Sequence, residues 1–176
     1  MSDNHIKKAL ITGIGGSGGS YLAEYIVNNH PEVEVHGITR WHSTSSAKNL
    51  FNIKNKIKLH TCDLVDMGAT IRVLKEVHPD AIFHLAAHAN VRESWDIPTA
   101  VFHNNSIGTL NLLEALRTLE QKPTVQVCST SELYGQVDPK NVQIKEDCPI
   151  KPANPYAVSK LAQDIFGDIY FKSFGI

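Results

Sequence analysis

The chain of 176 residues is long enough to bury one sizeable core and too short for two full domains. Its 17 Lys and Arg residues balance 18 Asp and Glu residues, which leaves a formal net charge of -1. Because this balance provides no basic patch for nucleic acid or for an anionic membrane, we expect neither as a partner. The three cysteines are Cys62, Cys128 and Cys148, widely spaced and without a C-x-x-C pair. With a polar start and no apolar run of roughly 18 residues, the pattern is typical of a soluble, cytoplasmic protein.

Short apolar runs rich in β-branched residues alternate with longer stretches of helical period. Strands are predicted at residues 8–12, 33–38, 57–62, 81–86 and 124–129. Helices are predicted at residues 18–29, 66–77, 98–120 and 154–174. This alternation indicates an α/β fold with a parallel sheet. Residues 39–55 have the least regular pattern and are predicted to form a surface loop.

A glycine-rich turn, GIGGSGG, lies between the first predicted strand and the first predicted helix. Two registers fit, since Gly13, Gly15 and Gly18 spell G-x-G-x-x-G while Gly13, Gly16 and Gly19 spell G-x-x-G-x-x-G. In either register the glycines allow a tight turn and the close approach of a pyrophosphate, and the helix N-terminus attracts its negative charge. The order of strand, turn and helix predicts a dinucleotide-binding site rather than a flexible turn.

The end of the second predicted strand carries a guanidinium where the NAD-type fingerprint has a carboxylate for the ribose 2'-hydroxyl. Arg40 and the hydroxyls of Ser43, Thr44 and Ser45 together suit a 2'-phosphate. This favours NADP over NAD as the cofactor. The alternative is that Arg40 is a solvated side chain in a polar loop.

Two segments late in the chain carry residues suited to proton transfer. Tyr156 and Lys160 are four residues apart at the start of the last predicted helix, so both project from one face. The ammonium is expected to lower the pKa of the phenol, which makes Tyr156 usable as acid and base. Thr130, Ser131 and Glu132 follow the fifth strand, at the sheet edge where open α/β sheets bind ligands. The carboxylate indicates one proton transfer more than carbonyl reduction requires.

The nine histidines do not predict a metal site, because His84 and His88 flank a predicted buried turn and no His/Asp cluster has ligand spacing. We therefore expect no metal. His88 and Asn90 follow the fourth strand, near where a substrate would lie, and are equally interpretable as loop residues with local hydrogen bonds. The sequence leaves both interpretations open.

Six segments together carry a family resemblance: TGIGGSGG, DLVD at 63–66, HLAA at 84–87, NNSIGT at 104–109, STSELYG and PYAVSK at 155–160. They resemble the extended short-chain dehydrogenases/reductases of the NAD-dependent epimerase/dehydratase family, which modify nucleotide sugars. Within that family, the chain is most similar to the GDP-mannose 4,6-dehydratases. The segments that carry this likeness are ALITGIGGSGGSYLAEYI, VEVHGITR, STSELYG and PANPYAVSKL. The resemblance covers nearly the whole chain. It implies oxidation at sugar C4, loss of water across C5 and C6, and return of the hydride to C6.

The resemblance also implies a role for each polar residue of the two late segments. Tyr156 would take the C4 hydroxyl proton, while Lys160 would hold the nicotinamide ribose and tune Tyr156. Thr130 would orient the C4 oxygen and Glu132 would abstract the C5 proton. Ser131 would assist protonation of the departing hydroxyl.

The same resemblance implies a tightly held NADP and a nucleotide-sugar substrate, GDP-mannose. The glycine turn would bind the pyrophosphate, and Asn105 matches the asparagine of the N-x-x-G-T helix. The implied cofactor contacts are Gly13, Gly16, Gly19, Arg40, Asp63, Leu64, Leu85, Ala86, Ala87, Tyr156 and Lys160.

The resemblance has three departures. The family's G-I-T-G-Q-D-G reads GIGGSGG here, its paired arginines become Arg40 and Trp41, and its C-terminal GDP-binding region has no counterpart. We therefore expect residues 1–176 to be one NAD(P)-binding Rossmann domain, an N-terminal fragment of a longer enzyme that forms a dimer or tetramer. Its doubly wound sheet would lack the last strands of the usual order 3-2-1-4-5-6.

Two other functions compete with the dehydratase. One is a nucleotide-sugar 4-reductase or epimerase on the same scaffold, against which Glu132 argues, because a reductase needs no base at C5. The other is a truncated, non-catalytic cofactor-binding protein. Such a protein has no need of the retained Thr130, Tyr156 and Lys160.

Overall fold

The computed structural model describes residues 6–41, 48–139 and 142–176. Its five strands are β1 (Lys8–Thr12), β2 (Glu34–Thr39), β3 (Ile57–Thr61), β4 (Ala81–His84) and β5 (Thr124–Val127). They form one parallel sheet in the order β3-β2-β1-β4-β5. The predicted Rossmann-type sheet is confirmed, and its strand order reverses beside β1, where such sheets bind ligands at their carboxyl edge.

Within these ranges the helices include the four predicted regions and one short helix, at residues 93–96, that was not predicted. They are α1 (Ser17–Asn29), α2 (Met67–Val77), α3 (Glu93–Asp96), α4 (Pro98–Phe102), α5 (Gly108–Thr118) and α6 (Pro155–Phe174). The predicted helix at 98–120 is interrupted, because a π-helical segment, His103–Ile107, joins α4 to α5. A 3-10 turn, Ser131–Tyr134, follows β5. Within the described residues, no helix combines the length and apolar character that crossing a membrane requires.

The core has two layers because the strands are buried on both faces. Leu10 of β1 belongs to the cluster packed against α2 and α5. Its neighbours Ala9 and Ile11 belong to the cluster packed against α1. This alternation is the period of a β-strand, and burial of both faces is typical of parallel sheets with crossover helices.

The prediction of a surface loop over residues 39–55 is partly wrong. Thr39 is the last residue of β2, and Leu50 and Ile53 are buried, with 1% and 4% exposure, in the cluster that contains α1. Two apolar residues three apart cover this end of the sheet, which is too short a pattern to show a period. Residues 42–47, which include Ser43, Thr44 and Ser45, lie outside the described residues.

A buried polar network fastens α6 to the sheet. His84 of β4 is 1% exposed, with its Nδ1 2.8 Å from Thr12 Oγ1 and its Nε2 2.8 Å from Thr109 Oγ1. Thr109 donates its own proton to the Asn105 carbonyl at 2.8 Å, so its oxygen accepts from the ring. His84 is therefore protonated on Nε2. Gln163 of α6 also donates to Thr109 Oγ1, and burial lowers the pKa of His84 to about 3.

Candidate active site

The turn between β1 and α1 distinguishes the two possible glycine registers. Gly13 has a φ of +68°, and a Cβ there would lie 2.9 Å from the Ala86 backbone. A Cβ on Gly19 would lie 2.4 Å from the Gly13 carbonyl oxygen, whereas one on Gly18 would meet nothing closer than 3.8 Å. Gly16 is the N-cap of α1. The backbone thus requires glycine at 13 and 19, as in G-x-x-G-x-x-G, and not at 18.

The N-terminus of α1 has the chemistry of an anion site. Its N-cap, Gly16, makes no side-chain hydrogen bond to the first turn, and that turn contains no acidic residue. Such a helix end presents backbone N–H groups and a partial positive charge to a phosphate. Asn49, which the sequence did not single out, donates from Nδ2 to the Gly15 carbonyl at 2.9 Å and so braces the turn.

A cavity of about 970 Å³ runs along the carboxyl edge of the sheet from this turn. Its size is near the upper end of the range for small-molecule sites. Thr61, Arg72 and Asn104 also line it, and none of the three was predicted as a site residue. The predicted cofactor contacts in its walls are Gly13, Gly16, Gly19, Arg40, Asp63, Leu64, Leu85, Ala86 and Ala87.

Arg40 lies at the tip of β2 and is exposed. Its Nη1 donates to Oδ1 of Asn104, 3.1 Å away in the π-helical segment, and both residues line the cavity. Asn104 in turn donates from Nδ2 to Oδ1 of Asn105 at 3.1 Å. The guanidinium is thus held at the cavity by a neutral partner.

Asn105 joins the turn after β4 to α6, and it is 1% exposed. Its Oδ1 accepts from the His88 backbone N–H at 2.7 Å. Its Nδ2 donates to Oγ of Ser159 at 2.9 Å. Because Ser159 immediately precedes Lys160, this buried amide positions the helix that carries the lysine.

His88 and Asn90 have local partners in the loop that follows β4. His88 Nε2 lies 2.9 Å from Oε2 of Glu93, and Asn90 Oδ1 accepts from the Glu93 backbone N–H at 3.1 Å. These contacts support the interpretation of both as loop residues. No group of three or more His, Cys, Asp or Glu residues that could hold a metal ion occurs in the described ranges.

Tyr156 and Lys160 lie one turn apart in α6, and both are buried, with 9% and 3% exposure. Thr130 is the N-cap of the 3-10 turn, where its Oγ1 accepts from the Glu132 backbone N–H at 3.3 Å. The Thr130 hydroxyl lies close enough to the Tyr156 phenol to lower the pKa of Tyr156. Neither Tyr156 nor Lys160 lines the cavity that the other predicted cofactor contacts share.

The predicted lowering of the Tyr156 pKa is wrong. Burial raises the pKa of Tyr156, and neighbouring Cys128 and Glu132 raise it further, while the nearby Thr130 hydroxyl lowers it. Lys160 is not among the groups that shift it, and burial lowers the pKa of Lys160 itself. The sequence argument counted the ammonium and omitted the cost of burying the phenolate. The phenol is therefore a neutral donor in the chain alone.

One further residue, Asn154, bridges the two segments. Its Oδ1 caps α6 by accepting from the Ala157 backbone N–H at 2.8 Å. Its Nδ2 donates to Oε2 of Glu132 at 2.7 Å. The sequence shows an asparagine before a proline at a helix start, which signals a cap but not the carboxylate partner.

The sequence model of the GDP-mannose 4,6 dehydratase family matches residues 10–176. The chain belongs to the GDP-mannose 4,6-dehydratase family. A family member from Yersinia enterocolitica, named GDP-mannose 4,6-dehydratase, is 39% identical over 180 residues, which cover 97% of this chain and 47% of the relative. The chain spans about half the length of the curated relatives it matches.

Solved structures confirm the predicted fold of this family member. A UDP-glucose 4-epimerase from Thermus thermophilus, in complex with NAD, has a TM-score of 0.85 at 30% identity and covers 96% of this chain and 52% of its own. A dTDP-glucose 4,6-dehydratase from Streptomyces venezuelae, with NAD bound, has a TM-score of 0.83 at 28% identity. It covers 96% of this chain and 53% of its own.

Proposed function

We propose that this protein is a nucleotide-sugar 4,6-dehydratase that converts GDP-mannose to GDP-4-keto-6-deoxy-mannose. The observation that carries the proposal is the grouping at the start of α6. Asn154 caps the helix turn that carries Tyr156 and donates to the Glu132 carboxylate at 2.7 Å. Thr130 Oγ1 accepts from the Glu132 backbone N–H at 3.3 Å. A reductase or epimerase needs an acid/base tyrosine but no base at C5. Membership of the dehydratase family supports the same choice.

A nicotinamide dinucleotide fits the site as cofactor. The glycine turn and the uncapped end of α1 suit its pyrophosphate, and the cavity of about 970 Å³ is large enough for its adenosine half. When bound, a nicotinamide would supply reversible hydride transfer, so the reaction would have no net redox change. The residues proposed to hold it are Gly13, Gly16, Gly19, Asp63, Leu64, Leu85, Ala87, Tyr156 and Lys160.

NADP is the proposed form of the cofactor. Arg40 lies in the cavity wall and makes a hydrogen bond to a neutral amide, that of Asn104, so its charge is available to an anion. A guanidinium binds a 2'-phosphate through paired, charge-assisted hydrogen bonds.

The proposed proton transfers follow from the chemistry of each side chain. The phenolate form of Tyr156, which the positive charge of a bound oxidised nicotinamide would favour, receives the C4 hydroxyl proton. The Thr130 hydroxyl orients the C4 oxygen. Glu132 removes the C5 proton, which a carbonyl at C4 makes acidic. The C6 hydroxyl leaves as water with a proton that Ser131 helps to deliver, while Lys160 holds the nicotinamide ribose.

The experiment that tests the function is incubation of the purified chain with NADP and GDP-mannose, followed by mass spectrometry. We expect a product lighter than the substrate by one water. Glu132→Gln should leave NADP binding unchanged and abolish the product. Bound cofactor with no product from the wild-type chain would contradict the proposed activity, and lost cofactor binding in the variant would make Glu132 structural.

A further inference from the structure

A single amide side chain, Asn154, connects the two halves of the proposed acid/base machinery. Its Oδ1 accepts from the Ala157 backbone N–H at 2.8 Å, which fixes the first turn of α6, where Tyr156 lies. Its Nδ2 donates to Oε2 of Glu132 at 2.7 Å. The carboxylate is therefore tied to the same helix turn that carries the phenol.

The backbones on both sides of this contact are also joined. The Lys151 N–H donates to the Leu133 carbonyl at 2.8 Å. A Cβ on Gly135 would lie 2.1 Å from the Lys151 carbonyl oxygen, so only glycine allows these two backbone segments to pack this closely. The segment before α6 thus holds the 3-10 turn of Glu132 in place, and the Asn154 amide fixes the side chain that the backbone leaves free to rotate.

The amide of Asn154 is a suitable hydrogen-bond donor to a carboxylate that must act as a base. Asparagine donates a hydrogen bond to a carboxylate without giving up a proton, so Glu132 keeps its capacity to accept one. The bond engages one carboxylate oxygen and leaves the other to receive the proton. It also restricts a side chain whose three rotatable bonds would otherwise spread the base over several positions.

We propose that Asn154 is a positioning residue for Glu132: it holds the carboxylate at the distance from Tyr156 that removal of the C5 proton requires. This rests on the proposed dehydratase function. The role differs from helix capping, because capping uses Oδ1 and positioning uses Nδ2.

Two variants separate the roles. Asn154→Ser keeps an oxygen that can cap α6, and its side chain is too short to reach Glu132. Asn154→Ala loses both contacts. We expect thermal unfolding to be shifted to lower temperature by the alanine variant alone, and both variants to slow dehydration of GDP-mannose by roughly 10- to 100-fold.

Kinetic measurements can separate oxidation at C4 from removal of the C5 proton. Oxidation at C4 depends on Tyr156 and Thr130, so we expect it to continue in Asn154→Ser, while exchange of the C5 proton with deuterated solvent slows. Reduced nicotinamide, measured by its absorbance, should then accumulate when GDP-mannose is added. Wild-type C5 exchange in Asn154→Ser, or equal slowing of oxidation and exchange, would overturn the positioning role.

A readout without substrate tests the contact itself. The side-chain amide signal of Asn154 in a nitrogen-15 NMR spectrum, identified by its loss in Asn154→Ser, should move in Glu132→Gln. An unmoved signal would overturn the proposal. If the wild-type chain transfers no hydride from GDP-mannose, the dehydratase function fails and the positioning role fails with it, while a moved signal shows that the contact exists.

Discussion

Gly18 and Gly19 are neighbours in α1, yet the fold gives them opposite tolerance for a side chain. A Cβ on Gly19 would lie 2.4 Å from the Gly13 carbonyl oxygen and 2.7 Å from Ile14 Cα, both of which are backbone atoms. A Cβ on Gly18 would lie 3.8 Å from the Leu85 side chain. These backbone atoms cannot move unless the whole turn shifts. The constraint at Gly19 is therefore steric and independent of any ligand.

Gly19→Ala should lower the free energy of unfolding by about 1–3 kcal/mol, because overpacking forces the turn to shift. It should also weaken cofactor binding. Gly18→Ala is the matched control, and it should leave stability unchanged or raise it by up to about 1 kcal/mol, since alanine is the better helix former. Urea unfolding measures both, and equal destabilisation by the two substitutions would contradict the assigned register.

Arg40 is the residue on which the choice between NADP and NAD depends. Arg40→Gln should weaken NADP binding by roughly 10- to 100-fold, the worth of hydrogen bonds to a charged group, and leave NAD binding almost unchanged. Arg72→Gln, which removes another cation from the same cavity wall, should not alter the NADP-to-NAD ratio. Titration calorimetry with both cofactors checks this, and equal losses for the two in Arg40→Gln would argue against a 2'-phosphate contact.

Most of the buried residues of α6 carry polar groups. Its buried residues are Tyr156, Ala157, Ser159, Lys160, Gln163 and Tyr170. Ser159 Oγ accepts from Asn105 Nδ2, and Gln163 donates to Thr109 Oγ1, which lies 2.8 Å from His84 Nε2. Such contacts need a fixed protonation state, so the packing of α6 against the sheet depends on His84 staying neutral.

Acid should lower the free energy of unfolding through His84. The pKa of His84 falls from 6.5 to about 3 in the folded protein, so between these pH values the unfolded chain binds a proton that the native state does not. The stabilisation is complete above the unfolded pKa and is lost as the pH falls toward the folded one, by up to about 1.4 kcal/mol per pH unit.

Urea unfolding of the wild type and of His84→Gln between about pH 7 and pH 4 measures this contribution. The variant should be less stable than the wild type near neutral pH, and its free energy of unfolding should fall less steeply as the pH is lowered. Acid effects of carboxylates whose pKa is lowered, such as Glu34 and Glu114, are common to both proteins and cancel in the comparison. Parallel slopes would contradict a neutral, buried His84.

The cavity is lined by segments from across the whole domain: the glycine turn, the ends of β2 and β3, and the turn after β4. A ligand that fills it should contact all of these segments and stabilise the native state by mass action. On addition of NADP we expect slower amide hydrogen exchange at residues 13–19, 63–66 and 85–87. Protection confined to α6 would contradict this placement.

The sequence was sufficient for the sheet, because buried parallel strands and crossover helices have strong and different periods. It placed the strands to within two residues and their order correctly. It missed Asn104 and Asn154, whose contacts join segments far apart in the chain and leave no local pattern. It erred on the Tyr156 pKa, since burial outweighs a nearby charge and cannot be read from spacing. The implied dimer or tetramer stays a prediction.

The π-helical segment His103–Ile107 accommodates one residue more than a regular helix of the same rise. Each residue of an α-helix turns the chain by about 100°. Because the wider turn absorbs the rotation of the extra residue, deleting one residue here would leave α4 and α5 on their present faces. It would shift the residues within the segment and carry Asn104 away from Arg40 and Asn105 away from His88. In evolutionary terms, a single inserted codon in an ordinary core helix would be enough to make it the link between a ligand cavity and a helix of proton-transfer residues.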